Sequence, residues 1–294
     1  MIAFIVNSVA DRGRCPRVMD ELTAVLSARG VAFTATHTQA PGHAAALARE
    51  AALAGAETVV AVGGDGTVRE VAEGLRASGL PTPMGIVPAG TGNDYRRCLA
   101  IPDDHLAALD IVLAGHTRAV DVGKVNDTLF VNIASVGFDV AVVEGAHSLR
   151  LGPLSYYASV FRTLLRFRGV EARVTADENA QSLRMLLCAV GVGTHYGGGM
   201  KVLPHSVPDD GLFDYCLVDS IPRTKIATLF PKFPSGGHTA YPFVHMGRCG
   251  TLTVERDEPF TVQADGDLLP NVTSARFTLL PAALRVLAPA EATR

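Results

Sequence analysis

The chain has 294 residues, 26 Lys and Arg against 29 Asp and Glu, and a net charge of −3. At 48% hydrophobic and 19% charged, with mean hydropathy +0.24, it can bury a large core; this excludes disorder, and a sequence pI near 6.3 excludes a broad nucleic-acid-binding surface. Five cysteines without a CxxC pair, histidines without HExxH spacing and apolar runs well short of the ~18 residues that span a bilayer exclude a disulfide framework, a structural zinc site and a transmembrane helix.

The start, MIAFIVNSVA, lacks a basic leader and reads as a first core strand, so a reduced cytoplasmic protein is expected. IAFIVN (2–7) is a strand and VMDELTAVLSARG (18–30) an amphipathic helix closed by glycine. VAFTATHT is the second strand, and GHAAALAREAALAG the helix after it. ETVVAV (57–62) and MGIVPAG (84–90) are the third and fourth strands, and DDHLAALDIVLAG is a further helix. Strands alternating with helices predict a parallel sheet covered on both faces, with ligands at the carboxyl ends of its strands.

From about residue 118 the pattern changes to short, often alternating apolar runs separated by turn residues, from RAVDVGKV to LRVLAP. That predicts an antiparallel β domain. Two helical stretches interrupt it, GPLSYYASVFRTLLRF (152–167) and IPRTKIATLF (221–230), and PKFPSGGHTAYP (231–242) reads as a loop. The expected fold class is α/β plus all-β, with a nucleotide-binding domain at 1–120, a β-sandwich at 121–281 and a terminal segment, 282–294.

Two glycine-rich turns carry the chemistry. The first is Gly63, Gly64, Asp65, Gly66 and Thr67, between the third strand and the helix VREVAEGL. Glycines let backbone approach a ligand, and a helix start offers N–H groups to an anion. Asp65 is out of place in a simple phosphate loop, because a carboxylate there is costly without a metal ion or a transferable proton. That points to phosphoryl transfer; a tight turn with Asp65 as a capping acid is the plain alternative. The second turn, PAGTGNDYRR, holds Gly90, Thr91, Gly92, Asn93 and Asp94 at the next strand end. Two such turns on adjacent βα units would open on one crevice, with Asp65 and Asp94 near a hydrated magnesium ion.

GGDGT followed by VREVAEGL, then GTGND, resembles the diacylglycerol kinase catalytic domain of soluble bacterial lipid kinases and sphingosine kinases. The resemblance continues through Asn7 in IVNSVA, VNIASVGFDVAVV, GGGMKVLPHSVPDDGLFDYCLV and QADGD (263–267). It implies an N-terminal nucleotide domain and a C-terminal β-sandwich, with the last residues returning to the first domain. It also implies ATP and Mg²⁺ as donor and cofactor, held around Asp65, Thr67, Asp94 and Asp121, and Asp265 as the base that accepts a lipid hydroxyl's proton. A strand-end acid at Asp121 and a hairpin turn at ADGD are the plain alternatives.

Three positions depart from the family's pattern: Arg69 precedes Glu70, Ser8 follows Asn7, and Asp267 stands where a Glu is usual. Asp210 matches the main acid of a second, structural magnesium in some bacterial members, but Val207 replaces a further carboxylate. The resemblance implies a cytoplasmic lipid kinase peripheral to the membrane, acting on diacylglycerol or a related lipid, with a homodimer left open. An ATP–NAD kinase and a non-catalytic nucleotide- or lipid-binding regulator are the other readings. For membrane contact the candidates are the helix 152–167, flanked by Arg150, Arg162, Arg166 and Arg168, and the region 225–248 with Lys232, Phe233, Tyr241 and Phe243.

Overall fold

The computed structural model describes residues 1–8, 14–142, 163, 167 and 169–290. The chain divides into two compact units. The first comprises Met1–Val122, Pro208–Asp210 and Pro281–Arg294; the second comprises Gly123–Val207 and Gly211–Leu280.

In the first unit, β1 (Ile2–Val6) pairs in parallel with β2 (Phe33–His37) and β3 (Thr58–Gly63), and β3 pairs in parallel with β4 (Met84–Pro88). Near the chain's end, Val286 pairs in parallel with Met84. Helix α1 (Arg14–Ala28) buries Cys15, Val18, Met19, Leu22 and Leu26, a single stripe at helical spacing. These pack on Phe4, Val6, Val60, Val62 and Val87, together with Leu109 and Val112 of α5 (His105–Ala114). By the two-residue alternation of a strand, the buried Ile5, Val59, Ala61 and Ile86 point to the opposite face. Helix α1 starts earlier than the sequence pattern indicates. Pro16 causes no conflict, because the first turn has no helical bond for its missing N–H to lose. Asp104 caps α5 by accepting the Ala107 N–H at 2.8 Å.

The strands β5 (Thr117–Val125) and β13 (Asp267–Leu287) each continue from one unit into the other. In the second unit the pairing is antiparallel, with β6 (Thr128–Phe130), β7 (Ile133–Gly137), β8 (Val170–Ala176), β9 (Asn179–Gly191), β10 (Phe213–Asp219), β11 (Val244–Cys249) and β12 (Thr251–Ala264). The long strands β9 and β12 each pair with β8 through one half and with β7 through the other. The sheet therefore closes on itself around a core in which the Phe130 ring lies 5.9 Å from Phe213 and 6.4 Å from Phe277.

The stretch read as a loop at 231–242 is ordered. After helix α6 (Arg223–Leu229) come two 3₁₀ turns, Phe230–Ser235 and Gly237–Ala240. Prolines suit the start of the first turn, and Gly236, at φ 73°, ends it. Phe233 is buried and stacks on buried His238 at 4.3 Å, so this ring belongs to the core and is not offered to a membrane. The other membrane candidate, 152–167, lies outside the described residues apart from Thr163 and Phe167, and the Phe167 ring packs on Phe138 at 5.8 Å. Among the described residues no helix is long and apolar enough to cross a membrane.

Candidate active site

In the first unit the ends of β3 and β4 carry the two glycine turns, and the end of β1 carries Asn7. β3 runs out at Gly63, and Gly64 caps helix α3 (Asp65–Ser78), which therefore begins inside the glycine motif. After β4, the Ala89 N–H donates to the Gly63 carbonyl at 2.9 Å, so the two turns are bonded backbone to backbone. Contact continues at Gly90, where a Cβ would fall 2.4 Å from the Gly64 Cα. Any side chain at Gly90 would force the turns apart. Gly63 is equally confined, because a Cβ there would meet the Thr67 Oγ1 at 2.4 Å.

Side chains complete the arrangement. Asp65 Oδ1 accepts the Tyr95 N–H at 2.9 Å, joining the first turn to the start of helix α4 (Tyr95–Cys98). Asn93, at φ 50°, closes its own turn: Oδ1 accepts the Gly90 N–H at 3.0 Å and Nδ2 donates to the Gly90 carbonyl at 2.9 Å. Asn7, just past β1, donates to Thr67 Oγ1 at 2.9 Å. Buried Asp94 faces Arg97 Nε at 3.3 Å. Beside these groups lies a pocket of about 320 Å³ lined by Asn7, Pro41, Gly64, Thr67, Glu70 and Gly90, at the lower end of the ~300–1,000 Å³ typical of small-ligand sites.

Glu70 is a pocket residue for which the sequence pattern supplied no role. From α3 it accepts the Gly42 N–H at 2.9 Å and the Ala44 N–H at 3.1 Å, capping helix α2 (His43–Leu53) from outside. Thr38 and Pro41 also reach the pocket but follow no motif.

The carboxylates assigned to metal do not form one direct ligand set. Among the described residues no three Asp, Glu, His or Cys side chains are grouped to hold an ion. Asp121, only 2% exposed, accepts the Ala282 N–H at 2.8 Å, and its own N–H donates to the Pro208 carbonyl at 2.7 Å. It thus anchors the chain's return. The second metal set implied at Asp210 is not assembled either. Its neighbour Asp209 is held in a fork by Arg118, both bonds at 2.6 Å, and Val207 offers no ligand.

In the second unit, Asp265 and Gly266 form the two-residue turn between β12 and β13, at φ 49° and 93°. The Asp265 carboxylate accepts three backbone N–H groups: Val131 at 2.6 Å, and Asn132 and Ile133 each at 3.1 Å. These contacts fix its orientation. Elsewhere in this unit a small apolar cavity of about 30 Å³ is lined by Phe138, Leu186, Leu187, Val218, Ile226 and Leu229, with Asp139 in its wall. Burial pushes the Asp139 carboxyl above its ordinary value, and hydrogen bonds from Ser135 and Tyr196 pull it partly back.

Comparison with known proteins follows the same division. Residues 1–125 match the family described as diacylglycerol kinase catalytic domain, and residues 132–288 match the YegS C-terminal NAD kinase beta sandwich-like domain. A Mycobacterium tuberculosis protein named diacylglycerol kinase is 32% identical over 297 residues, covering 98% of this chain and 95% of that protein. A Staphylococcus epidermidis protein of the same name is 29% identical, covering 90% of this chain and 84% of its own length. The crystal structure of a diacylglycerol kinase from Bacillus anthracis str. Sterne is similar in fold, with a TM-score of 0.76 at 22% identity, covering 99% of this chain and 98% of that one.

Proposed function

The chain belongs to the diacylglycerol kinase family and is a lipid kinase; from that premise we propose that it transfers the γ-phosphate of ATP to the hydroxyl of diacylglycerol, giving phosphatidic acid, a phospholipid precursor. The observation that carries the reading is the pair of interlocked turns at the ends of β3 and β4, held by Asp65 on the Tyr95 N–H and by the Gly64–Gly90 contact. Backbone N–H groups of 63–67 and 90–94 with the N-terminus of α3 suit a polyphosphate.

Asp65, held by the Tyr95 N–H across the two turns, and Asp94, paired with Arg97, suit a hydrated magnesium ion reached through its waters better than an inner-sphere cage. Bound with ATP, that ion would neutralise charge on the phosphates. In the chemical step, the lipid hydroxyl oxygen bonds to the γ-phosphorus, the bond to the ADP oxygen breaks, and the hydroxyl proton passes to a carboxylate. Asp265 is assigned that proton, on a turn its three amide donors keep in one orientation. The protein acts in the cytoplasm as a peripheral visitor to the membrane that holds its substrate.

A panel assay with labelled ATP and Mg²⁺ tests this, offering diacylglycerol, monoacylglycerol, a sphingoid base, a polyprenol, a glycolipid and NAD. Label entering diacylglycerol is the expected result. Label in NADP, or preference for another lipid, would overturn the acceptor assignment.

A further inference from the structure

We propose that Gln263, Ser135 and Asp139 are positioning residues that set the Asp265–Gly266–Asp267 turn for phosphoryl transfer, an inference that rests on the kinase reading of that turn. Three hydrogen-bonded polar side chains are buried together in the second unit: Ser135 is 0% exposed, Gln263 2% and Asp139 7%. Ser135 and Gln263 are cross-strand partners on β7 and β12. Apolar residues at these positions would pack without desolvation, so stability alone does not favour the trio.

Their hydrogen bonds run in one direction. The Gly266 N–H donates to Gln263 Oε1 at 2.8 Å, which identifies that atom as the oxygen, because a backbone N–H needs an acceptor. The amide nitrogen Nε2 therefore faces Ser135 and donates to its Oγ at 2.8 Å. Ser135 in turn gives its proton to Asp139 Oδ2 through a short bond. A chain of aligned donors thus runs from the backbone of the turn to a buried carboxylate beside the apolar cavity. Aligned dipoles of this kind reinforce one another in a low-dielectric interior.

The turn is fixed from its other side too. Asp265 sits in the left-handed region, which is unfavourable for a residue with a Cβ, and its carboxylate is held by the amides of 131–133. Gly266 is tied by Gln263, so both central residues of the hairpin are held by side-chain bonds beyond the strand ladder. Such over-determination is what keeps a strained backbone in place at a functional turn.

The test uses the full chain carrying Gln263→Leu, Asp139→Leu, Ser135→Ala or Asp139→Asn. Rates are normalised to the fraction that binds ATP, and backbone exchange is followed by mass spectrometry across 264–268. Breaking the chain at Gln263 or Asp139 should lower kcat roughly tenfold or more, since small misplacement near the reaction is costly, with KM for ATP changed by less than about twofold. Exchange at the Gly266 amide should rise about tenfold while β9 and β10 stay protected. Asp139→Asn keeps an acceptor for Ser135 and should recover most of the loss seen in Asp139→Leu, a rescue that a cavity or a misfolded fraction would not produce. If Asp139→Leu fails to fold, Ser135→Ala, which removes only one oxygen, carries the same expectation. Wild-type kcat and exchange in folded Gln263→Leu would overturn the proposal. Should the unaltered protein phosphorylate no lipid, the kinase reading falls, while the exchange measurements still decide whether the chain holds the turn.

Discussion

The Asp65 carboxylate accepts the Tyr95 backbone N–H at 2.9 Å, across thirty residues and two strand–helix units. One acid thereby joins the two glycine turns, and the role proposed for it in handling ATP cannot be separated from its role in shaping the pocket. Replacing Asp65 by Ala should destabilise the protein by about 1–3 kcal/mol, the usual cost of orphaning such a donor. It should also lower kcat/KM by roughly a hundredfold or more. Thermal unfolding and steady-state kinetics check both parts; unaltered kinetics would remove Asp65 from the donor site.

Gly90 meets Gly64 so closely that a Cβ would lie 2.4 Å from backbone. Gly90→Ala should therefore cost about 1–3 kcal/mol in overpacking and raise KM for ATP, because separated turns present their N–H groups in the wrong places. Calorimetric titration with a non-hydrolysable nucleotide would reveal the loss. Wild-type affinity would mean that the phosphates do not sit on these turns.

Glu70 caps α2 through the Gly42 and Ala44 N–H groups while lining the pocket. Glu70→Ala should loosen the pocket wall at 38–42, raising KM for ATP several-fold with kcat nearly retained, the pattern of lost uniform binding. A fall in kcat with KM unchanged would assign Glu70 to the chemical step instead.

Asp265 and Asp267 flank Gly266, and only Asp265 is bonded to the amides of 131–133. If Asp265 accepts the proton, Asp265→Asn should abolish turnover while Asp267→Asn retains a substantial share. Loss of stability in Asp265→Asn, paired with loss of turnover only in Asp267→Asn, would make Asp265 the clamp and transfer the base to its exposed neighbour.

Burial raises the Asp139 carboxyl above its ordinary 3.8. A folded value above the unfolded one means its stability contribution is full below the unfolded value and is lost as pH rises through the folded one. Asp139→Asn, which does not titrate, should thus unfold at a higher temperature than the wild type near neutrality, and the difference should close on acidification. Melting curves between about pH 4 and 8 would show it; a pH-independent difference would mean Asp139 does not change protonation on unfolding.

Much of the first unit was legible in local pattern. The β1, β3 and β4 runs are apolar, β3 and β4 lead into glycines, and α1 and α3 show helical spacing, so the placing of GGDGT and GTGND at strand ends follows from short-range rules. The PKFPSGG segment was misread because proline and glycine mark a loop and a 3₁₀ turn equally; only the burial of Phe233 and His238 separates them. Glu70 and the Gln263–Ser135–Asp139 chain were illegible for another reason. Their partners lie 26 to 128 residues away, or are polar groups where strand pattern alone predicts core.

By itself the sequence determined the chemistry available to this protein: two glycine turns with one acid each, an Asp-Gly hairpin, and the α/β-then-β order that carries them. Those are matters of backbone freedom and short-range periodicity, written in neighbouring residues. Tertiary structure decided which groups hold which. It joined Asp65 to Tyr95, turned Asp121 to the returning chain at Ala282, gave Asp265 three amides, and aligned Gln263 with Ser135 and Asp139. Hydrogen bonds between distant residues depend on register and packing, and neither is encoded in any one stretch of the chain.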